Sequence, residues 1–237
     1  MTKLEKLLVK QVQKTLDKFS LINPEKRYIL GLSGGKDSLA LYYLLKELEI
    51  KITPIHIKSN WDNSEFDKFN FPQDTVIIDS HISDILKNDN IKNNYCYVCS
   101  RERRKLILTY AKSINIKDII LAHNKNDVVE TLLLNIFFSR EISTLMPKQL
   151  LFNNEFSINR PLYEVDEHLI TKYIQEKNIK IFTDYCPYSK LNKRTLIKKI
   201  ISDTQNTHTQ KQQIDIIDNI YSSLKMINTS FLPYKAK

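Results

Sequence analysis

Apolar residues recur along the chain in two patterns, one typical of amphipathic helices and one typical of buried strands. Over residues 1–19, Leu, Val and Phe stand three or four positions apart between Lys, Glu and Gln, which predicts a helix that ends before the Asn23–Pro24 turn. Short runs rich in Ile and Leu then predict strands. These runs are RYILGL (27–32), KITPIHI (51–57), TVIID (75–79), KDIILA (117–122) and FSIN (156–159).

Longer segments with helical periodicity separate most of these strands. They include DSLALYYLLKELEI (37–50), SRERRKLILTYAKSI (100–114), NDVVETLLLNIFF (126–138) and DEHLITKYIQEKN (166–178). Strands that alternate with helices predict right-handed βαβ units, so the expected fold class is α/β, a parallel five-stranded sheet with flanking helices. We predict an N-terminal amphipathic helix over 1–26, the α/β domain over 27–204 and a C-terminal helical tail over 205–237.

Polar segments follow three of the predicted strands. SGGKDS (33–38) comes after the first strand, AHNKND (122–127) ends the fourth, and His56 lies at the end of the second. In open parallel sheets, ligands bind outside the carboxyl ends of the strands. The sequence therefore predicts an active site at this edge of the sheet.

The residue types of the first of these segments suit the binding of a phosphate group. The chain has three glycines, and all of them lie here, at Gly31, Gly34 and Gly35. A loop that leaves a strand and opens a helix gathers backbone N–H groups, and the helix N-terminus favours an anion. Ser33, Ser38 and Lys36 add side-chain donors, whereas Asp37 suits a helix cap or Mg²⁺ better than phosphate. The spacing differs from that of the kinase and GTPase P-loop.

Length and composition narrow the class of protein. A chain of 237 residues that is 42% hydrophobic suits one α/β domain of ordinary size. The net charge of +9 fits a polyanionic partner such as RNA, or a Lys-rich composition with no such partner. No secretory signal or membrane-spanning run is visible, and three cysteines do not form a secreted disulfide framework. We expect a cytoplasmic protein with reduced thiols.

The cysteines leave three interpretations open. Cys96 and Cys99 form a C-x-x-C pair at the start of a basic helix, and Cys186 follows far downstream. A Cys3His zinc site, a redox pair that leaves Cys186 aside, and a three-thiolate [4Fe-4S] cluster with one open iron are all compatible with this spacing.

SGGKDS between a strand and a helix resembles the PP-loop of the ATP pyrophosphatase superfamily, whose members adenylate a carbonyl or carboxyl oxygen and release pyrophosphate. C-x-x-C-S-R-x-R-R after such a loop resembles the tRNA 2-thiolation enzymes of the 2-thiocytidine synthetase (TtcA) and 2-thiouridine synthetase (TtuA) group. AHNKNDVVETLLLNIFF, INRPLYEVDEHLI and CPYS are similar to that group as well, in the same order over residues 1–200. The resemblance implies an adenine nucleotide alpha hydrolase-like fold with its PP-loop domain over 27–204.

The resemblance also implies a reaction. The expected enzyme is an ATP-dependent tRNA sulfurtransferase that adenylates the C2 oxygen of a pyrimidine, cytidine 32 of the anticodon loop, and replaces that oxygen with sulfur. The implied cofactors are ATP, Mg²⁺ and an oxygen-sensitive [4Fe-4S] cluster. The implied partners are tRNA, a sulfur donor (a cysteine desulfurase or sulfide) and a second copy of the chain in a homodimer, with no membrane.

Carried onto this sequence, the resemblance assigns the cluster to Cys96, Cys99 and Cys186 and places Lys36 and Asp127 in the reaction. Mg²⁺ is expected at Asp37 and Asp127. The residues expected to bind ATP are Ser33, Gly34, Gly35, Lys36, Asp37, Ser38, His56 and His123. The residues expected to contact tRNA, or otherwise to form a solvated basic surface, are Arg101, Arg103, Arg104, Lys193 and Arg194.

Some positions depart from the family pattern. Asn126 stands where the family usually has Asp, and Ser139–Arg140 replaces the usual Gly-Gly. CPYS and Asn124 resemble the uridine-type enzymes, whereas the SRERR segment and the N-terminal helix resemble the cytidine type, which we favour. The alternatives are a tRNA 2-thiouridine synthetase, a PP-loop enzyme that acts on a small molecule or as an amidating ligase, and a non-catalytic tRNA-binding homologue.

Overall fold

The computed structural model describes residues 1–61, 64–88, 94–183, 186–188, 193–208, 215–228 and 230. The chain divides into a larger unit, residues 1–124 and 146–192, and a smaller unit, residues 125–145 and 193–237. The domain bounds drawn from the sequence stay a prediction, and part of the predicted tail over 205–237 lies outside the described residues.

A six-stranded sheet forms the centre of the larger unit. Its strands are β1 (Tyr28–Gly31), β2 (Ile52–Lys58), β3 (Val76–Asp79), β4 (Asp118–Ile120), β5 (Lys148–Leu151) and β6 (Phe156–Asn159). The strand order is β3-β2-β1-β4-β6-β5, and all neighbours are parallel except β5 and β6. The chain thus moves outward from β1 in both directions, which places the switch point of the sheet between β1 and β4.

The predicted α/β class and all five predicted strands are confirmed, but the predicted number of strands is wrong. Lys148–Leu151 adds a sixth strand, antiparallel to β6. The turn between them runs through Phe152, Asn153 and Asn154, all with positive φ. Asn adopts this conformation more readily than most residues, so a tight reversal forms without glycine.

Helices cover both faces of the sheet in the larger unit. They are α1 (Lys3–Lys18), α2 (Lys36–Glu47), α3 (Ser64–Lys68), α4 (Ile82–Leu86), α5 (Tyr95–Ser113) and α7 (Glu167–Glu176). Leu30 of β1 belongs to the core cluster shared with α1, α2 and α7, whereas its neighbour Ile29 belongs to the cluster shared with α4 and α5. Because successive strand residues point to opposite faces, a continuous apolar strand supplies both cores.

The smaller unit contains α6 (Lys125–Ser139), α8 (Lys193–His208) and α9 (Ile216–Ser223). Val128 and Val129 of α6, Ile197 of α8 and Tyr221 of α9 are buried. No helix among the described residues is both long enough and apolar enough to cross a membrane.

Candidate functional site

The segment 33–38 forms the turn from β1 into α2 at the switch point of the sheet. Gly35 is the N-cap residue of α2, and its N–H donates to Ser33 Oγ at 3.3 Å. Ser38 Oγ donates to the Gly35 carbonyl at 3.0 Å and lies 3.0 Å from Ser33 Oγ. The two hydroxyls therefore stabilise the turn. The first backbone N–H groups of an α-helix have no acceptor within that helix, and this arrangement at the start of α2 suits a phosphate.

Lys36 lies between two carboxylates at the start of α2. Its Nζ donates to Glu167 Oε1 at 2.6 Å and to the Asp37 oxygens at 2.9 and 3.0 Å. Burial lowers the pKa of Lys36, but the hydrogen bond to Glu167 and the negative charge of Asp37 outweigh it, so the pKa is raised above its ordinary value. Lys36 is therefore a cation held at the mouth of the glycine turn.

Two side chains of this cluster were missed from the sequence. Asn124, which is 2% exposed, follows β4 and donates from Nδ2 to Asp37 Oδ1 at 3.0 Å. Glu167 opens α7, far along the chain from Lys36. The polar AHNKND segment signalled the first position, but an acidic residue at a helix start is so common that Glu167 carried no signal.

Asp37 does not cap α2, because the N-cap residue is Gly35 and no side chain makes the cap hydrogen bond. The Mg²⁺ role expected of Asp37 stays a prediction. Its carboxylate is about one-third exposed and is oriented by Lys36 and Asn124.

Aromatic rings pack over the glycine turn. Gly34 has φ +84°, and its carbonyl accepts the Phe182 N–H at 2.8 Å. The rings of Phe71 and Phe182 lie 5.7 Å apart, and the His56 ring is 4.3 Å from Phe71. His56 is buried and donates from Nδ1 to the Leu32 carbonyl at 3.0 Å. His56 thus supports the strand before the turn by packing and hydrogen bonding.

Replacing Gly34 with alanine is expected to destabilise the protein by about 3 kcal/mol. The left-handed backbone costs about 1–2 kcal/mol for a residue with a Cβ. That Cβ would also stand 2.7 Å from Phe182 Cβ, and overpacking costs about 1–3 kcal/mol. Gly35→Ala is the matched control, because its Cβ would meet only Ser33 Oγ, at 3.5 Å, with φ −73°. Urea unfolding compares the two variants, and equal losses of stability would contradict this account.

His123 follows β4 beside Asn124. Arg160 donates from Nε to His123 Nδ1 at 3.2 Å, so that nitrogen is the acceptor of the imidazole. Arg160 is 2% exposed and also donates to the Met146 carbonyl at 2.6 Å and to Gln149 Oε1 at 3.1 Å. His123 is thus held by a buried guanidinium, and its contact with ATP stays a prediction.

Cys96 and Cys99 are the second and fifth residues of α5, and Cys186 lies in the segment after Phe182. Cys96 is exposed, the other two thiols are partly buried, and none forms a disulfide. Among the described residues, no three His, Cys, Asp or Glu side chains converge closely enough to hold a metal ion. The three-thiolate site and the Mg²⁺ site therefore stay predictions.

An aromatic stack joins the segments that carry the cysteines. The Tyr95 and Tyr188 rings lie parallel, 3.8 Å apart at an interplanar angle of 2°. Tyr95 directly precedes Cys96, and Tyr188 follows Cys186 by two positions. Tyr188 also donates from its hydroxyl to the Leu86 carbonyl at 3.2 Å. The stack thus places Tyr188, two positions after Cys186, against the start of α5.

The basic residues predicted to contact tRNA differ in their surroundings. Arg103 donates to Ser59 Oγ at 2.5 Å, Arg101 pairs with Glu102 at 2.9 Å, and Arg104 is exposed on the same helix. In the smaller unit, Lys193 lies over the Phe138 ring at 4.8 Å.

Arg194 contacts two acidic side chains of α6. Its guanidinium lies 3.3 Å from Asp127 Oδ1 and 3.3 Å from Glu130 Oε2. Asp127, predicted to act in the reaction, is thus an ion-pair partner within the smaller unit. A magnesium or tRNA role for this pair stays a prediction.

Comparison with known proteins finds a matching family model and similar proteins that share one name. A family model described as a PP-loop domain matches residues 4–204. The tRNA-cytidine(32) 2-sulfurtransferase of Dichelobacter nodosus is 32% identical over 94% of this chain and 86% of its own length. The protein of the same name from Coxiella burnetii is 29% identical over 94% of this chain and 93% of its own length.

A solved structure shares the fold. The U34-tRNA thiolase NcsA from Methanococcus maripaludis, solved with its [4Fe-4S] cluster, superposes with a TM-score of 0.69 at 22% identity. The match covers 95% of this chain and 80% of the thiolase.

Proposed function

The chain belongs to the PP-loop domain family, and we propose that it is an ATP-dependent tRNA sulfurtransferase that replaces the C2 oxygen of cytidine 32 with sulfur. The observation that carries the proposal is the glycine turn at the switch point of the sheet, with Lys36 at its mouth, in a chain 32% identical to an enzyme of that name. We place the protein in the cytoplasm, as a homodimer that takes sulfur from a cysteine desulfurase or from sulfide.

The glycine turn supplies the activation step. The C2 oxygen of the base attacks the α-phosphate of ATP, the bond between the α- and β-phosphates breaks, and pyrophosphate leaves. The N–H groups of the turn and the Lys36 ammonium stabilise the charge that develops on the leaving pyrophosphate. Asp37, whose carboxylate accepts from Asn124, is the residue that we assign to Mg²⁺. Adenylation makes the C2 oxygen part of a good leaving group, AMP.

The cysteines fit an iron–sulfur cluster by their chemistry. Three thiols are the donors that such clusters prefer, and the Tyr95–Tyr188 stack keeps the Cys186 segment beside the C-x-x-C turn. When bound, the cluster supplies an iron with an open position for the sulfur that is to be transferred. The N-terminus of α5 favours the thiolate forms of Cys96 and Cys99.

Deleting the gene is expected to remove 2-thiocytidine selectively from cellular tRNA. Mass spectrometry of nucleosides from cells with and without the gene, and from cells complemented with the wild-type gene, measures this loss. Loss of a 2-thiouridine species instead would overturn the choice of substrate, and an unchanged set of thionucleosides would overturn tRNA thiolation. A tRNA-binding homologue without catalytic activity would leave the thionucleosides unchanged.

A further inference from the structure

The inner face of α1 fixes this helix firmly to the larger unit. Leu8 and Val12 are fully buried, and the Glu5 carboxylate beside them accepts from Lys177 Nζ at 2.8 Å and from the Tyr173 hydroxyl at 3.4 Å. Burial raises the pKa of Glu5, but the hydrogen bond and charge of Lys177 outweigh it and the pKa is lowered. The carboxylate thus stays ionised, and α1 presents its outer face on a rigid support.

The outer face of α1 carries a row of lysines. Lys6, Lys10, Lys14 and Lys18 recur at every fourth position and are all exposed, and we name them the lysine stripe. Residues four apart lie on one face of a helix, about 6 Å from each other along its axis. The stripe borders an open groove of about 730 Å³. The groove is lined by the stripe together with Met1, Val9, Gln13, Asp17 and Leu48.

Three of the four lysines of the stripe have no ion-pair partner in the part of the chain that the structure describes. Lys18 pairs with Glu164 at 2.6 Å. Among the described residues, no carboxylate lies within 4.0 Å of Lys6, Lys10 or Lys14. Like charges four positions apart on a helix repel each other and cost stability. A polyanion bound along the stripe would relieve that repulsion.

We propose that the lysine stripe is a docking surface for the sugar–phosphate backbone of tRNA, an inference that rests on the proposed function and extends it. Adjacent phosphates of an RNA strand are spaced similarly to adjacent lysines of the stripe, so one strand can run along α1. Val9 and Leu48 give the groove an apolar contact surface for riboses. A membrane fits less well, because helices that lie on membranes expose a broad apolar face and the apolar face of α1 is buried in the core.

The test compares two triple variants with the same change in net charge. K6Q/K10Q/K14Q removes three lysines of the stripe, and K51Q/K112Q/K117Q removes three exposed lysines elsewhere in the larger unit. Binding to an unmodified tRNA transcript with cytidine at position 32 is measured between 50 and 200 mM salt. Each lost contact with a single strand reduces the slope of log K against log salt by about 0.7. We expect the stripe variant to lose about 2 units of slope and the control variant to lose much less.

The possible outcomes separate this inference from the proposed function. Equal slopes for the two variants, with both folded by circular dichroism, would overturn the docking surface and leave the function intact. A wild-type chain that does not bind the transcript would overturn both. If the stripe variant bound tRNA normally but lost binding to phosphatidylserine vesicles that the wild type binds, the stripe would be a membrane surface and the inference would be wrong.

Discussion

Replacing Lys36 with methionine is expected to reduce tRNA-dependent release of pyrophosphate from ATP by on the order of 10²–10³-fold in kcat. Methionine keeps the unbranched aliphatic part of the side chain but removes the ammonium that sits at the mouth of the glycine turn. The transition state gains negative charge on the phosphates that leave, and a fixed cation stabilises that charge more than it stabilises bound ATP. The loss therefore falls mainly on kcat.

The matched control is Lys46→Met in the same helix. Lys46 is exposed and pairs with Asp74 at 2.7 Å, in an ion pair of the kind that contributes little to stability. K46M is expected to retain pyrophosphate release within a factor of two or so of wild type. If K36M released pyrophosphate as fast as K46M, the assignment of Lys36 to the activation step would be wrong.

The pH dependence of K36M gives a second check. A lysine with a raised folded-state pKa keeps its charge at and below its ordinary pKa, and loses it only as the pH rises through the folded value. Both values lie well above neutral pH. The ratio of wild-type to K36M rates is therefore expected to stay constant from pH 7 to pH 9. A ratio that fell steadily over this range would contradict the inference that Lys36 stays protonated beside Asp37 and Glu167.

The sequence was sufficient to predict the sheet because its strands are short apolar runs with clear ends. It was also sufficient for the glycine turn, since three glycines in one segment of a Gly-poor chain signal close approach of a ligand to the backbone. Strand β5 was missed because KQLL is short and half exposed. Its pairing depends on the turn at Asn153 and Asn154, which only the folded chain reveals.

The partners of Lys36 were harder to predict, because they come from distant parts of the chain. Glu167 reaches Lys36 only because α7 packs against α2, and Asn124 reaches Asp37 only because β4 lies beside β1. A motif read along the sequence cannot report such contacts. The lysine stripe, by contrast, was visible as a four-residue repeat, but its significance depends on the finding that no carboxylate of the described residues pairs with Lys6, Lys10 or Lys14.

Replacing Cys186 with serine is expected to reduce tRNA thiolation by at least about 100-fold, and to remove the iron-dependent absorption of protein reconstituted without oxygen. Serine keeps the size of the side chain but provides no thiolate. Pyrophosphate release is expected to persist, because Lys36 and the glycine turn are unchanged. K36M should behave in the opposite way, with iron bound and pyrophosphate release lost.

The matched control for this variant is Tyr188→Phe, which keeps the ring stacked on Tyr95 and removes only the hydroxyl bond to Leu86. It is expected to retain both the iron absorption and thiolation.

The cysteine variants also decide among the three interpretations of the thiols. If Cys186 is a cluster ligand, C186S and C96S lose iron and thiolation together, because each removes one of three required thiolates. A redox pair of Cys96 and Cys99 predicts instead that C96S is inactive and C186S is active. A structural zinc site predicts bound zinc, no iron absorption, and a loss of stability in C186S. The Tyr95–Tyr188 stack brings the Cys186 segment to the start of α5, which agrees with the first and the third pattern, and the identity of the bound metal separates these two.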